Sequence, residues 1–211
     1  MKKKYTVKRN GIMLVISSPS GAGKTTLAKK LLEQDKDIEL SISVTTRKKR
    51  AEEINNKDYT FINKDQFDRM IQREELLEYA TVFDNKYGTP KTPIYDKLKR
   101  GKDILFDIDW QGTQALREKE PKNVVSVFIL PPSTNELKKR LIKRAQDSSE
   151  EVRLRMKKAN SEITHWPEYD YVIINENIKD SLHKLKSILY AERLKRNRQT
   201  GLNDLVREIL S

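Results

Sequence analysis

The clearest chemistry in the chain lies in Ser17-Ser-Pro-Ser-Gly-Ala-Gly-Lys-Thr-Thr26. Ser18 to Thr25 follow the phosphate-loop pattern G-x-x-x-x-G-K-[ST], except that Ser18 stands where the first glycine belongs. Gly21 and Gly23 allow backbone N–H groups to turn toward phosphate oxygens, and a helix starting here adds the positive end of its dipole. In that frame Lys24 reaches the β and γ phosphates and the Thr25 hydroxyl ligates Mg²⁺. The first glycine of the pattern mainly serves a backbone turn, so Ser18 questions the geometry of the loop and leaves its chemistry whole. An unstrained turn predicts a negative φ at Ser18.

Two further clusters could act with this loop. Lys102-Asp-Ile-Leu-Phe-Asp-Ile-Asp109 reads as an apolar strand ending in two carboxylates, Asp107 and Asp109, whose i, i+2 spacing puts both on one face. At the carboxyl end of a parallel strand they would hold a nucleotide's metal and its waters. Ser41-Ile-Ser-Val-Thr-Thr-Arg-Lys-Lys-Arg50, followed by Asp58-Tyr59, carries Arg47 and Arg50 three residues apart. Guanidinium forks grip phosphate in a bidentate way that lysine cannot match, so this segment predicts a second anionic ligand beside the first.

Strand-like and helix-like segments alternate around these residues. Ile12–Ile16 reads as a buried strand and Thr25–Gln34 as a helix with Leu27, Leu31 and Leu32 inward, which sets the glycine loop between strand and helix. Further strands fit Leu40–Val44, Tyr59–Ile62, Leu76–Val82, Ile104–Ile108, Val124–Leu130 and Tyr171–Ile174. Helix starts are marked by Asn63 with Gln66, by Thr92 before Pro93, and by Ser148 with Glu151, and Gly101 ends the Pro93 helix. Leu182, Leu185 and Leu189 keep helical spacing and predict a helix packed on the sheet. Continuous apolar strands joined by helices imply an α/β fold whose central sheet is mainly parallel and covered on both faces.

Composition narrows the chemistry further. The 211 residues include no cysteine and only two histidines, His165 and His183, which excludes a disulfide framework, a thiolate metal site and a histidine-rich one. A net charge of +12 favours anionic partners, although many of these lysines are expected on solvated surface. Met1-Lys-Lys-Lys4 is followed by too short an apolar stretch for a signal segment or a membrane span, so a cytoplasmic location is expected. A nucleic-acid-binding ATPase would need a basic groove with stacking aromatics, and aromatics make up only 7% of the chain.

In order and spacing, these elements resemble guanylate kinase over roughly residues 11 to 195. Asp107-Ile-Asp-Trp-Gln-Gly112, Leu76-Leu-Glu-Tyr-Ala80, Tyr87-Gly-Thr-Pro90 and Phe128-Ile-Leu-Pro-Pro-Ser133 add to the likeness. The resemblance implies a three-layer P-loop NTPase core (11–36, 90–135 and 161–195) carrying a GMP-binding insertion (37–89) and a helical lid (136–160). It leaves a basic tail (1–10) and a C-terminal extension (196–211), in which Leu202, Leu205, Val206 and Ile209 fit a short amphipathic helix. The implied reaction moves the γ-phosphoryl of ATP onto GMP with Mg²⁺, with no nucleic acid or membrane partner, in a monomer or homodimer.

Carried over residue by residue, ATP would lie on Ser18, Pro19, Ser20, Gly21, Ala22, Gly23, Lys24, Thr25 and Thr26, with Asn175 on the adenine side. The GMP phosphate would lie among Arg47, Arg50, Tyr59 and Tyr87, and the guanine edge would meet Ser43, Glu78 and Thr89. Asp107 and Asp109 would border that site, with Thr25 and Asp107 toward Mg²⁺. Lys24, Arg47, Arg140, Arg144 and Arg155 would act on the transferring group. Glu78 also suits guanine on chemical grounds, because an ionised carboxylate only accepts hydrogen bonds and guanine offers N1–H plus an amine. The sequence departs from the family at Ser18, at Lys49 in place of a proline, in Ala51-Glu-Glu-Ile-Asn-Asn56 without its glycines, and at Arg144-Ala-Gln-Asp147 where Arg-Gly-Thr is frequent. These changes bear on loop geometry, and each leaves the chemical groups in place.

Overall fold

The computed structural model describes residues 7–82, 84–144 and 149–211. The central sheet is wholly parallel, in the order β2-β7-β1-β8-β9, built from β1 (Met13–Ser17), β2 (Ile38–Leu40), β7 (Asp103–Phe106), β8 (Val124–Leu130) and β9 (Tyr171–Ile174). All five residues of β1 are buried, as a middle strand covered on both faces requires. Alternate residues feed two cores. Ile12, Leu14 and Ile16 face α1 (Lys24–Gln34) and α7 (Ile178–Arg193), meeting Leu27, Leu31, Leu182, Leu185 and Leu189. Met13 and Val15 face α3 (Lys91–Lys99) and α4 (Trp110–Lys119), meeting Ile94, Leu98 and Leu116. Each fully buried leucine here contributes about 1.5–3 kcal/mol.

A second sheet, in the order β4-β3-β6-β5, stands apart from the first and comprises β3 (Val44–Thr45), β4 (Thr60–Phe61), β5 (Leu76–Val82) and β6 (Asn85–Pro90). Its hydrophobic centre is Val44, Phe67 and Leu76, closed by α2 (Lys64–Gln72). The Asn63–Gln66 capping box starts α2 as the sequence predicts, with reciprocal bonds of 2.8 and 3.1 Å. Beyond β8, α5 (Thr134–Arg144) and α6 (Ser149–Ile163) pack on each other through Leu137, Leu141 and Ala159.

Several expectations need correction. The strand expected over Leu40–Val44 is two strands, β2 and β3, in different sheets, separated by Ser41–Ser43. β6 was not expected, because Asn85-Lys-Tyr-Gly-Thr-Pro90 has neither an apolar run nor clean alternation. Its place is fixed by antiparallel pairing with β5. The Pro93 helix begins at Lys91 after an extended Pro90, so Thr92 lies in its first turn and does not cap it. Gly101, at φ 79, ends that helix as expected, with Lys102 N–H bonded to the Lys97 carbonyl and Gly101 N–H to Leu98. The start expected at Ser148 lies outside the described residues.

Arg9 is tied into the core. Asp103 is fully buried and accepts from Arg9 (2.6 and 3.0 Å), Arg193 (2.7 Å) and the Ile12 N–H (2.9 Å). Arg193 also grips Asp35 at 2.7 and 3.0 Å. This seam joins residue 9 to β7, to the end of α1 and to the end of α7. Breaking a buried pair of this kind leaves an uncompensated charge, at a cost of about 3–5 kcal/mol. The start of the C-terminal extension is also held, since Arg198 is buried and its carbonyl accepts from Asn10 N–H at 2.8 Å. The helix beyond it, α8 (Leu202–Leu210), contains no buried residue.

Candidate active site

The carboxyl ends of β1 and its neighbour β7 build the centre of the site. Ser17 ends β1, and its hydroxyl bonds to Thr113 of α4 and to the Ile108 carbonyl, each at 3.0 Å. The chain then turns through Ser18–Gly23 into α1. Gly21 and Gly23 take φ 89 and 103, which ordinary side chains rarely adopt, and a Cβ on Gly23 would come within 2.4 Å of Asn175 Nδ2. Among the described residues, the non-glycine residues with positive φ are Asn56, Glu74 and Asp84, so Ser18 makes its turn on the ordinary side of φ. Its hydroxyl donates to the Pro19 carbonyl at 3.0 Å. Asn56, at φ 62, occupies the stretch where a glycine is common, and asparagine tolerates this geometry better than most residues.

Ser18, Pro19, Ser20, Gly21, Gly23, Lys24 and Thr25 line one cleft together with Asp109 and Glu162. Lys24 is ion-paired with Asp107. Thr25 and Thr26 are exposed on the first turn of α1. Glu162, near the end of α6, accepts the Ser20 N–H at 3.2 Å, so a lid carboxylate already touches the loop's backbone donors. Sequence reasoning passed over Glu162, since a lone acid on a charged helix gives no signal. The Asn175 side chain is buried and donates to the Ala22 carbonyl at 2.6 Å, while its Oδ1 has no partner.

Asp107 and Asp109 do not share a strand face, because β7 ends at Phe106. Asp109 is the N-cap of α4 and accepts the Gly112 N–H at 3.0 Å. Asp107 is exposed and turned to Lys24. The two carboxylates therefore divide their work, one fixing a helix and one facing the lysine.

A second cleft of about 280 Å³ adjoins this centre, lined by Ser43, Tyr59, Glu78, Ala80, Tyr87, Asp107, Ile108, Asp109, Lys158 and Glu162. Glu78 is its buried charge. It accepts the Thr89 hydroxyl at 2.6 Å, and Thr89 in turn lies 3.5 Å from the Ser43 hydroxyl. Gly112 allows this packing, since a Cβ there would stand 3.2 Å from Glu78 Oε2. Burial pushes the Glu78 carboxyl up to about 7, with the Asp109 charge acting the same way and the Thr89 bond and Lys119 opposing.

Arg47 and Arg50 do not line this cleft. Arg47 lies behind Tyr59, which does, with its guanidinium 5.4 Å from the Tyr59 ring, and Tyr59 packs edge-on against Tyr87. Arg50 is exposed. Arg140 of α5 reaches the phosphate loop from the other side, donating to the Asn175 carbonyl at 3.1 Å and toward that of Ala22 at 3.5 Å. Arg155 is exposed on α6. The Arg144 side chain and Ala145–Asp147 lie outside the described residues.

A family profile described as guanylate kinase matches residues 10–192. The chain belongs to the guanylate kinase family. Guanylate kinase from Nitrobacter hamburgensis is 56% identical over 203 residues, covering 96% of this chain and 93% of the relative. That of Paramagnetospirillum magneticum is 53% identical over 204 residues, covering 97% and 95%. The crystal structure of guanylate kinase from Anaplasma phagocytophilum superposes with a TM-score of 0.77 at 40% identity, covering 95% of this chain and 96% of that one.

Proposed function

We propose that the chain transfers the γ-phosphoryl group of ATP to GMP, giving ADP and GDP, with the donor on the Ser18–Thr26 loop and the acceptor in the Glu78 cleft. The observation that carries this reading is the buried Glu78 carboxylate, oriented by Thr89, in a cleft that shares Asp109 and Glu162 with the phosphate loop. An ionised Glu78 accepts from the guanine N1–H and amine, whereas adenine would set its own N1 acceptor against the carboxylate.

Lys24 and the loop N–H groups neutralise charge on the donor phosphates, and Arg47 and Arg50 with Tyr59 and Tyr87 hold the acceptor phosphate. Arg140, Arg144 and Arg155 close over the transferring group as the lid helices approach. The acceptor oxygen is already anionic, so no protein base is needed and catalysis is alignment plus charge neutralisation. The Thr25 hydroxyl and Asp107 are hard oxygen donors that suit Mg²⁺. Among the described residues there is no cluster of three or more acidic or histidine ligands, which fits an ion taking most of its ligands from phosphates and water. Bound Mg²⁺ supplies neutralisation of phosphate charge. No helix among the described residues is long and apolar enough to cross a membrane. The reading carries a cytoplasmic location, where both nucleotides are found, and requires neither nucleic acid nor membrane.

A coupled assay of ADP release with a panel of nucleoside monophosphates tests this reading. GMP is expected to exceed AMP by on the order of 10³–10⁴ in kcat/KM, the scale of discrimination when a site's buried polar group would be left unpaired. Equal turnover of AMP and GMP would overturn the assignment of Glu78.

A further inference from the structure

Glu53 lies in the loop between the two phosphate arginines and β4, and it takes no part in the roles assigned above. Its carboxylate accepts both terminal nitrogens of Arg47, at 3.0 and 2.7 Å, and the backbone N–H of Arg50 at 2.8 Å. Its own N–H returns to the Arg50 carbonyl at 3.2 Å, and its carbonyl accepts Lys49 Nζ at 2.9 Å. The Arg47 and Glu53 side chains are each only 17% exposed, which lifts the pair above an ordinary surface contact. The Arg47 bond holds the Glu53 carboxyl down at about 2, so it stays ionised throughout the physiological range.

A carboxylate against a phosphate-binding arginine can either compete with the phosphate or aim the arginine at it, and counting donors separates the two. Guanidinium carries five N–H donors in two forks. Glu53 takes the end fork, one hydrogen from each terminal nitrogen, and the Lys48 carbonyl takes another Nη1 hydrogen at 2.8 Å. Nε–H and one Nη2–H remain, and together they form the side fork, which matches two phosphate oxygens. Tyr87, whose charge field acts on the guanidinium, lines the acceptor cleft, whereas Glu53 does not.

We propose that Glu53 is a positioning residue for the acceptor phosphate: it clamps Arg47 by one fork, presents the other to GMP, and fixes the backbone of Arg50. This rests on the reading that Arg47 and Arg50 hold the GMP phosphate. The loop lacks the family's glycines, so its shape is held by these carboxylate bonds and by the left-handed Asn56.

The test is steady-state kinetics on the full chain for Glu53→Gln, Glu53→Asp, Arg47→Ala and the Glu53→Gln/Arg47→Ala pair, with guanosine as a competitive inhibitor lacking the phosphate. Glu53→Gln is expected to raise KM for GMP about ten-fold, the scale of one charge-assisted hydrogen bond. KM for ATP and Ki for guanosine stay unchanged, and Glu53→Asp, which keeps the charge, falls between. In the Arg47→Ala background the Glu53 change adds little, because both act through one guanidinium. A lower KM for GMP in Glu53→Gln would make the residue a competitor and overturn the proposal. So would an unchanged KM, or a parallel rise in KM for ATP and Ki for guanosine. If Arg47→Ala itself leaves KM for GMP unchanged, the acceptor-site reading fails along with the proposal; if only Glu53→Gln is silent, Glu53 alone loses its role.

Discussion

The donor loop and the acceptor cleft both hold a phosphate, and they are built in opposite ways. The donor loop is the continuous stretch Ser18–Gly23, bracketed by a fully buried strand and a helix whose Leu27 and Leu31 lie in the main core. Its shape is set by two left-handed glycines and by Asn175 and Arg140 bonding to its backbone. The acceptor cleft draws Ser43, Glu78 and Tyr87 from three separate stretches around the smaller sheet, whose hydrophobic centre is only Val44, Phe67 and Leu76. Side-chain pairs supply what the core does not: Thr89 on Glu78, and Glu53 on Arg47. A site made of backbone on a large core should tolerate changes in its surroundings and depend on a few atoms. One made of side-chain pairs should be sensitive to partners that never touch substrate.

The contrast is broken most strongly at Lys24. Lys24→Ala removes the only side-chain cation of the loop while leaving its N–H groups in place, and kcat is expected to fall by about 10³ or more. Lys24 and Asp107 are both partly exposed, so the pair adds little to stability and the melting temperature should hardly move. Unchanged phosphoryl transfer by the purified variant would remove the loop from the mechanism.

These two regions also differed in how well the sequence revealed them. The donor loop could be read because its backbone shape is encoded by glycines at fixed spacing, and because strand and helix on either side follow their own periods. The central strands other than β2 were legible for the same reason. The acceptor sheet was not: β3 and β4 are two residues each, β6 has a polar, turn-like composition, and β3 finds its partner β6 some forty residues away. Asp107 and Asp109 were misplaced by extending β7 two residues too far, because nothing local says that Asp109 will cap α4. Glu53 acts within its own loop, on Arg47 and Arg50, but its residue type gives no motif there, whereas the contact of Glu162 with Ser20 spans 142 residues and spacing cannot encode it.

Glu78→Gln sharpens the comparison at the acceptor side. The amide replaces one acceptor with a donor opposite guanine, and kcat/KM for GMP is expected to fall by on the order of 10², with preference over AMP narrowed. The unliganded protein should respond in the other direction. Folding raises the Glu78 pKa from 4.5 to about 7, so the folded state binds the proton more tightly than the unfolded chain. The resulting stability is fully present below 4.5 and is lost as pH rises through about 7. Glu78→Gln should therefore be more stable than the parent at pH 8, by about 1–3 kcal/mol, with the difference closing toward pH 4.5. For the same reason KM for GMP in the parent should rise as pH drops below about 7, since guanine needs the ionised carboxylate. Chemical denaturation at pH 5 and pH 8 without nucleotide reads the first effect. A variant less stable than the parent at pH 8 would show that the carboxylate is not strained by its burial.

The smallest effect is expected at Ser18, where the sequence departs from the loop pattern. In Gly21 and Gly23 the chain uses φ values that a side chain resists, and at Gly23 an added Cβ would also strike Asn175. Ser18 has an ordinary φ, and its hydroxyl is bonded to the neighbouring Pro19 carbonyl. Restoring the pattern glycine therefore relieves no strain and adds freedom to the unfolded chain, which costs about 0.5–1 kcal/mol. Ser18→Gly should leave kcat and KM for ATP within about two-fold and lower the melting temperature slightly, by a few degrees at most. A several-fold gain in kcat from that substitution would mean that Ser18 holds the loop away from its working shape, and the donor site would then depend on side-chain detail as the acceptor site does.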